Sequence, residues 1–417
     1  MRISRRCLFQ KSGTALGIAA LAGIESFPQG KQPDPFADLK SMTEGVKPLD
    51  RADFEARIEK ARKLMADGKI DLLCLNGGTS LDYFGAIRWG LSERMFAMLI
   101  PAQGDIAYVC PKFEEGRARE QVKFGTDIRT WEEDESPYAL VKQILQDRKI
   151  ASGTIGVEPT IREFVVDGMQ KACPTARLVN GENISQGCRM IKSKKELEYM
   201  TLACNITKRA FEAGFRTLRE GMSQRELSAN MSQATARLGS TGGGSASFGP
   251  SSGNPHGSLV DRKLKAGDVV LVDGGCKVEG LSSDVTRTVV FGKPSDEFRK
   301  IWDIVKKAQD AALAAVRPGV PCEAVDAAAR KVIVDAGYGP DYKYFAHRVG
   351  HGIGLDGHEY PYLVRGNKLP LAPGMTFSDE PGIYIADRFG VRIEDTFYVA
   401  EDGGHFFGKG VTEIVSY

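Results

Sequence analysis

Short apolar runs alternate with longer, helix-like segments between residues 49 and 190. Apolar runs of about four to eight residues are typical of buried strands. Strands that alternate with helices predict an α/β domain. The runs are "DLLCLN", "MFAMLIP", "IAYVCP", "GTIGVE" and "ARLVNG".

A second unit begins at about residue 191. Ser193 and Glu196 have the spacing of a capping box at the start of a helix. The helical periodicity then continues through Leu197, Met200, Ile206 and Phe211. Two further helices are predicted over 295–316 and 322–337, where Gly337 ends the second. We therefore divide the mature chain into domains at 49–190 and 191–417, preceded by a tether at 31–48.

The second unit contains an internal similarity. "KAGDVVLVD" and "APGMTFSDE" both run from a glycine through an extended stretch to a carboxylate six positions later, at Asp273 and Glu380. Each is followed by turn residues and a second strand with another carboxylate, Asp284 in one copy and Glu394 in the other. Two similar β-ribbons predict a pseudo-symmetric domain with a shared centre.

Charge and cysteine usage narrow the classes of protein. The 56 basic and 54 acidic residues leave a net charge of only +2, and no basic stripe with interleaved aromatics points to nucleic acid. Small molecules or peptides are the favoured partners. None of the eight cysteines forms a C-x-x-C pair. We therefore expect buried free thiols, Cys276 among them, rather than a disulfide framework.

The first thirty residues have the composition of an export signal. "SRRCLFQKSG" places an arginine pair before a hydrophobic pair, and the apolar run "TALGIAALAGI" follows. This pattern indicates a twin-arginine-type signal with a candidate cleavage site at Ala20-Leu21-Ala22. The run is too short for a membrane span of ~20 residues. We expect a periplasmic protein without a stable membrane anchor after cleavage; a cytoplasmic protein is the alternative.

The four carboxylates together suggest a metal centre. A single acid at a strand end is usually solvated, but Asp273 ends an otherwise apolar run, where burial is costly without a cation or hydrogen bonds. Four converging acids would hold protons unless positive charge compensated them. Two divalent cations would balance the charge, as in two-metal hydrolases. Oxygen ligands with a single imidazole suit Mn²⁺, with Co²⁺ and Zn²⁺ as alternatives.

Five segments of the second unit carry these residues: "VDGG", "SDVTRT", "GHGIGL", "EPGIY" and "GVRIED". Together they resemble the creatinase/aminopeptidase-like "pita-bread" metallopeptidases of family M24, above all Xaa-Pro dipeptidases (prolidases) and Xaa-Pro aminopeptidases. The resemblance implies an α/β creatinase-like N-terminal domain and a pita-bread α+β catalytic domain. It also implies a homodimer that hydrolyses the bond before proline with a metal-bridging hydroxide.

The resemblance implies roles for individual residues. The metal ligands are Asp273, Asp284, His351, Glu380 and Glu394. Glu380 also accepts a proton from the attacking water, and His256 and His358 bind the substrate and stabilise its intermediate. Arg392 orients carboxylates or substrate. For His347, four residues before His351, a proton-relay or wall role and a plain loop role stay open. His405 is expected to be structural or exposed.

The sequence departs from the family at the position that binds the C-terminal carboxylate of a dipeptide. Some prolidases have an arginine there, and this chain has Tyr362, with Arg365 three residues on as a substitute. Dipeptidase and aminopeptidase activity on longer peptides therefore both stay open. A creatinase-like C–N hydrolase and a non-enzymatic peptide-binding module are the weaker alternatives.

Overall fold

The apolar runs of the first unit form a six-stranded mixed sheet in the order β4-β3-β2-β1-β5-β6. The computed structural model describes residues 34–417, so the twin-arginine-type segment lies outside the described residues. The strands are β1 (Leu72–Asn76), β2 (Ala97–Pro101), β3 (Ala107–Pro111), β4 (Asp127–Trp131), β5 (Thr154–Val157) and β6 (Arg177–Asn180). All five predicted runs are confirmed as strands. β4 was not predicted, because its sequence, DIRTW, contains no apolar run.

Six helices accompany this sheet. They are α1 (Arg51–Gly68), α2 (Thr79–Gly85), α3 (Glu115–Gln121), α4 (Pro137–Asp147), α5 (Glu163–Ala172) and α6 (Glu182–Arg189). Residues 34–50 precede α1 without forming a helix or strand. Phe36 and Leu39 in this segment are nevertheless buried against the second unit. None of the helices in residues 34–417 is long and apolar enough to cross a membrane.

The second unit repeats one order of elements, a helix pair followed by strands. The first copy contains α7 (Lys194–Phe215), α8 (Gln224–Arg237), β7 (Thr241–Phe248), β8 (Val269–Val278), β9 (Leu281–Ser282) and β10 (Val285–Val290). The second contains α9 (Asp296–Ala315), α10 (Cys322–Asp335), β11 (Gly350–Gly352), β12 (Glu359–Leu363), β13 (Thr376–Asp379), β14 (Gly382–Ile385), β15 (Phe389–Arg392), β16 (Asp395–Ala400) and β17 (Gly403–Phe406). The capping box of Ser193 and Glu196 is present at α7.

The sheets of the two copies meet where the four predicted carboxylates lie. The first forms the sheet β10-β8-β7, and the second forms β12-β11-β13-β16-β17 with a separate β14-β15 hairpin. Thr286 of β10 and Glu394 join them through two backbone hydrogen bonds of 3.3 and 3.2 Å. Apolar side chains of α9 and α10, such as Trp302 and Ile333, form one core with Phe377 of β13. The helices therefore support the sheets from behind, and the strand ends face a common centre.

The cysteines of the described residues are free and buried, as expected for packing thiols. Cys276 of β8 lies in the core between α7 and β8, where the Thr207 hydroxyl donates a hydrogen bond to its Sγ at 3.3 Å.

Candidate metal centre

The five expected ligands converge from both copies of the repeat. Asp273 lies in β8, Asp284 directly precedes β10, His351 lies in β11, Glu380 directly follows β13, and Glu394 directly precedes β16. Two ligand sets share Glu394: Asp273 with Asp284, and His351 with Glu380. Within each set the candidate ligand atoms lie within 4.8 Å of one another. The fold therefore brings the five residues together as two candidate metal-binding sets that share the Glu394 carboxylate. We call these five residues the ligand cluster.

His351 is held with one nitrogen facing the carboxylates. Its Nδ1 donates a hydrogen bond to the Gly352 carbonyl at 3.0 Å, which directs Nε2 toward the ligand cluster. Nε2 lies 3.2 Å from Glu380 Oε1 and 3.8 Å from Asp284 Oδ2. The Ser378 hydroxyl donates to Glu380 Oε1 at 3.0 Å and orients that carboxylate. Such fixed outer contacts are typical of metal-binding histidines and carboxylates.

The glycine before His351 has a packing reason. A Cβ on Gly350 would lie 2.0 Å from the Ser378 carbonyl oxygen, so only glycine allows β11 to approach β13 this closely. The close approach brings His351 beside the end of β13, where Glu380 follows.

Thr286 and Arg392 contact carboxylates of the ligand cluster and fix their positions. Thr286 is paired with Asp273 across the sheet, and its hydroxyl lies 3.1 Å from Asp273 Oδ1 and 2.6 Å from Glu394 Oε2. The Arg392 guanidinium forms a 2.7 Å ion pair with Asp273. It also donates to the Tyr384 hydroxyl at 2.9 Å and the Pro255 carbonyl at 2.8 Å. The donors of Arg392 are therefore engaged by protein groups, Asp273 among them.

The protein's own cations do not balance these acids. Burial, reinforced by the nearby charge of Asp273, raises the pKa of Asp284 to about 8. Burial and the neighbouring Asp284 also raise the pKa of Glu394 well above its usual range. Burial opposes ionisation of Glu380 as well, but the hydrogen bond from His351 together with the charges of His347, His351 and Arg392 outweighs it and holds the pKa of Glu380 at about 2. Acids that retain protons because they are buried beside other acids are suited to bind cations.

The donor set fits divalent metal ions. Four carboxylates and one imidazole match the oxygen-rich coordination of Mn²⁺, Co²⁺ or Zn²⁺. Among residues 34–417, the His351 imidazole, at 3.8 Å, is the only basic side chain within 4.0 Å of the Asp284 carboxylate.

A cavity of about 510 Å³ opens over the ligand cluster. Nine of the expected site residues line it: Asp273, Asp284, His351, Glu380, Glu394, His256, His347, His358 and Arg392. The rings of His351 and His358 stack with centroids 3.6 Å apart. Because His358 also has a ring nitrogen within 4.8 Å of ligand atoms of Asp284 and His351, it is near enough to contact a metal.

His347 belongs to the cavity wall rather than to a free loop. Its Nε2 is 2.8 Å from the Tyr384 hydroxyl, and its Nδ1 donates to the Arg348 carbonyl at 2.8 Å. Because the ring is buried, the pKa of His347 is lowered despite the nearby Glu380. The pKa of His358 is also lowered, first by burial and then by His351. Both imidazoles are therefore neutral at neutral pH and can exchange protons.

The structure does not bring two expected residues into the cavity wall. Arg365 is exposed and forms an ion pair with Asp341, and Tyr362 lies behind Arg348, whose guanidinium carbon is 4.2 Å from the Tyr362 ring centroid. Arg348 lines the cavity instead, together with Arg392. Sequence analysis did not single out Arg348, Thr286 or Tyr384, although the last two lie within the motifs "SDVTRT" and "EPGIY".

Two further residues, Asp379 and His405, lie apart from the cavity. Asp379 is fully buried opposite Asp395 and does not line the cavity, as the alternation of side chains along a strand predicts. His405 is exposed and lies 2.8 Å from Asp402, so it is a surface histidine.

The segment that carries His358 is fixed to the N-terminal domain by a second group of charges. Arg189, at the end of α6, contacts both Asp356 and Glu359 at 2.5 Å. Lys192 contacts Glu359 at 2.5 Å, and the Thr79 hydroxyl donates to Asp356 at 2.6 Å. We call Arg189, Lys192, Asp356 and Glu359 the interdomain cluster. Because its acids lie on both sides of His358, the N-terminal domain helps to set the position of that imidazole.

An α/β domain joined to a pseudo-symmetric domain with four carboxylates and one imidazole at its centre defines a metallohydrolase. Comparison with known families specifies which one. The model of metallopeptidase family M24 matches residues 198–401, and that of the creatinase/prolidase N-terminal domain matches residues 57–191. The chain belongs to metallopeptidase family M24, with a creatinase-like N-terminal domain and a pita-bread catalytic domain.

Individual relatives agree with this assignment. The probable dipeptidase PepE of Mycobacterium tuberculosis is 34% identical over 367 residues, which cover 86% of this chain and 95% of the relative. The crystal structure of a prolidase from Thermococcus sibiricus is similar with a TM-score of 0.79 and 32% identity, over 88% of this chain and 99% of that one. An X-Pro aminopeptidase from Thermotoga maritima has a TM-score of 0.75 and 28% identity, over 86% and 99%. The protein is a metal-dependent peptidase.

Proposed function

We propose that this peptidase hydrolyses the bond before proline in Xaa-Pro dipeptides or at the N-terminus of short Xaa-Pro peptides. We further propose that it uses two divalent metal ions, Mn²⁺ in the first instance. The observation that carries the proposal is the pair of overlapping ligand sets that share Glu394 in one cavity. The prolidase and aminopeptidase among the similar structures support the choice of a prolyl bond.

The ligand cluster would hold the ions, which would polarise the scissile carbonyl and activate water when bound. Asp273 would hold one ion and His351 the other, with Asp284, Glu380 and Glu394 shared. Arg392 keeps Asp273 in position through its 2.7 Å ion pair. The Thr286 hydroxyl lies 3.1 Å from Asp273 Oδ1 and 2.6 Å from Glu394 Oε2 and so helps to fix both carboxylates.

The remaining cavity residues would bind the peptide and move protons. Glu380 is ionised at neutral pH and would accept the proton of the attacking water. His256 and His358 would donate hydrogen bonds to the peptide as negative charge develops on its carbonyl oxygen. His347, linked to Tyr384 and 4.0 Å from Glu380, would relay a proton toward the leaving proline nitrogen.

We also propose export to the periplasm and a homodimer. The arginine pair and apolar run within residues 1–30 support export. The dimer proposal follows from the prevalence of two-fold homo-oligomers. Cell fractionation and light scattering of the purified protein test these proposals independently of activity.

One assay tests the proposed function. The protein is stripped of metal with a chelator, and Ala-Pro, Ala-Pro-Ala, Ala-Ala and creatine are offered with and without Mn²⁺. Mn²⁺-dependent turnover of the prolyl peptides, with at least ~10-fold lower kcat/KM for Ala-Ala, is expected for a pocket that fits proline. Equal turnover of Ala-Ala would refute the proline preference, and turnover of creatine alone would refute peptide hydrolysis at this site.

A further inference from the structure

Arg348 is a cation in the cavity wall that the proposed chemistry has not used. It lies three residues before His351, is partly buried, and lines the same cavity as His256, His347 and His358. Among the described residues that line this cavity, only Arg348 and Arg392 carry a permanent positive charge. Each of them could in principle attract an anionic substrate group.

The two arginines differ in what they bind. Arg392 forms an ion pair with Asp273 and donates to Tyr384 and Pro255. Within residues 34–417, no carboxylate lies within ion-pair distance of the Arg348 guanidinium, and Arg365 outside the cavity is paired with Asp341. Arg348 is therefore the guanidinium in this cavity that no carboxylate of residues 34–417 neutralises.

Tyr362 holds the Arg348 guanidinium in place. The guanidinium carbon lies 4.2 Å from the centroid of the Tyr362 ring, a distance typical of cation–π stacking. Stacking restricts the side chain and leaves its in-plane N–H groups available to a carboxylate, which a guanidinium can bind with two parallel hydrogen bonds. A fixed and unpaired guanidinium is thus pre-organised to bind an anion.

The substrate of the proposed function has such an anion in the right place. In an Xaa-Pro dipeptide only the proline Cα separates the scissile nitrogen from the free carboxylate. A residue that binds this carboxylate must therefore lie in the wall of the cavity above the ligand cluster, as Arg348 does. In a longer peptide or an amide this negative charge is absent from the proline.

We propose that Arg348, stacked on Tyr362, binds the C-terminal carboxylate of the substrate and makes the enzyme select dipeptides. The inference rests on the proposed function and deepens it. It assigns to Arg348 the role that the sequence offered to Arg365, and it gives Tyr362 the role of positioning Arg348.

The experiment compares Ala-Pro with Ala-Pro-amide and Ala-Pro-Ala for the Mn²⁺-loaded wild type, Arg348→Met, Arg348→Lys and Arg365→Met. A charge-assisted hydrogen-bonded contact corresponds to about 10- to 100-fold in affinity. We expect Arg348→Met to lower kcat/KM for Ala-Pro by this factor, mainly through KM, and to change turnover of Ala-Pro-amide less than about 3-fold. Arg348→Lys should recover part of the loss, since it restores the charge without the planar fork.

Two outcomes overturn the inference alone. If Arg348→Met lowers turnover of the acid and the amide equally, Arg348 has only a structural role. If Arg365→Met instead removes the preference for the acid, the carboxylate binds at Arg365. Absence of turnover of all three substrates by wild-type enzyme that has bound Mn²⁺ would refute the proposed function itself, and the inference with it.

Discussion

The ligand cluster and the interdomain cluster are both groups of buried charges, but they are neutralised differently. In the interdomain cluster, two acids face two cations at 2.5 Å, and the pKa of Glu359 is lowered because Lys192 and Arg189 outweigh its burial. In the ligand cluster, four carboxylates face the Arg392 guanidinium and the His351 imidazole, and the pKa of Asp284 is raised to about 8. The first cluster is complete within the protein, and the second requires external cations.

The comparison separates structural from functional burial of charge. Acids paired with arginine and lysine in a domain interface hold two units together, and their hydrogen bonds are satisfied. Ionised acids that lie close together at the bottom of a cavity lower the stability of the folded protein, and a bound cation can offset this cost. The two clusters are linked, because His358 lies between the interdomain acids Asp356 and Glu359 and stacks on His351.

The largest expected effect comes from removing one carboxylate of the ligand cluster. Asp273→Asn should abolish metal binding and reduce turnover by about 10³-fold or more, because metal-ion catalysis supplies several kcal/mol. Metal content by mass spectrometry and Ala-Pro hydrolysis are the measurements. Asp268→Asn is the matched control: Asp268 precedes the same strand and accepts a backbone hydrogen bond from Lys265 outside the cavity. Full metal content in Asp273→Asn would exclude Asp273 as a ligand.

Breaking the interdomain cluster should reduce stability instead. Glu359→Gln leaves Lys192 and Arg189 without a buried carboxylate and should lower the free energy of unfolding by about 3–5 kcal/mol. Bound Mn²⁺ should stay at the wild-type level under saturating metal. Urea unfolding measures the loss, and Glu323→Gln, which breaks the surface pair with Lys368, should cost less than about 1 kcal/mol. If both variants were equally stable, the interdomain cluster would not hold the domains together.

The variant His358→Ala tests whether His358 binds the substrate, as proposed, or is a metal ligand. We expect bound metal to be retained and kcat to fall by about 10²-fold, as for loss of one donor to a developing oxyanion. Steady-state kinetics and metal analysis of the same sample check this. Loss of metal would show that His358, whose nitrogen is within reach of Asp284 and His351, belongs to the ligand cluster after all.

The smallest expected effect is a pH dependence of metal stabilisation. An acid whose pKa is raised in the folded state loses stabilising free energy as pH rises from its unfolded pKa, near 3.9, to its folded pKa, about 8 for Asp284. The lowered pKa of Glu380 has the opposite sign, and its contribution is lost only in acid, below pH 5. Between pH 5.5 and 8, metal-free protein should become less stable, while metal binding meets less competition from protons.

Calorimetry measures this effect. Saturating Mn²⁺ should raise Tm by about 2–4 °C more at pH 8 than at pH 5.5. The difference should shrink in Asp284→Asn, which has no proton to lose. A larger increase at pH 5.5 would contradict the assignment of Asp284 as a buried ligand.

Sequence patterns predicted the elements that bury an apolar face and the carboxylates that end them. The run before Asp273 and the capping box at Ser193 depend on local spacing, which is visible in the chain. Arg348 could not be predicted in this way, because its proposed role depends on the absence of a carboxylate near its guanidinium within residues 34–417. The same is true of the interdomain cluster, where Arg189 meets Glu359 across 170 positions of sequence.

The central claim is that the five ligands bind two catalytic metal ions. The most direct test is to strip the protein of metal, titrate Mn²⁺, and follow bound metal and Ala-Pro hydrolysis in the same samples. The account predicts that activity rises with bound metal and saturates at about two ions per chain. Full activity in protein that binds no divalent metal would contradict it.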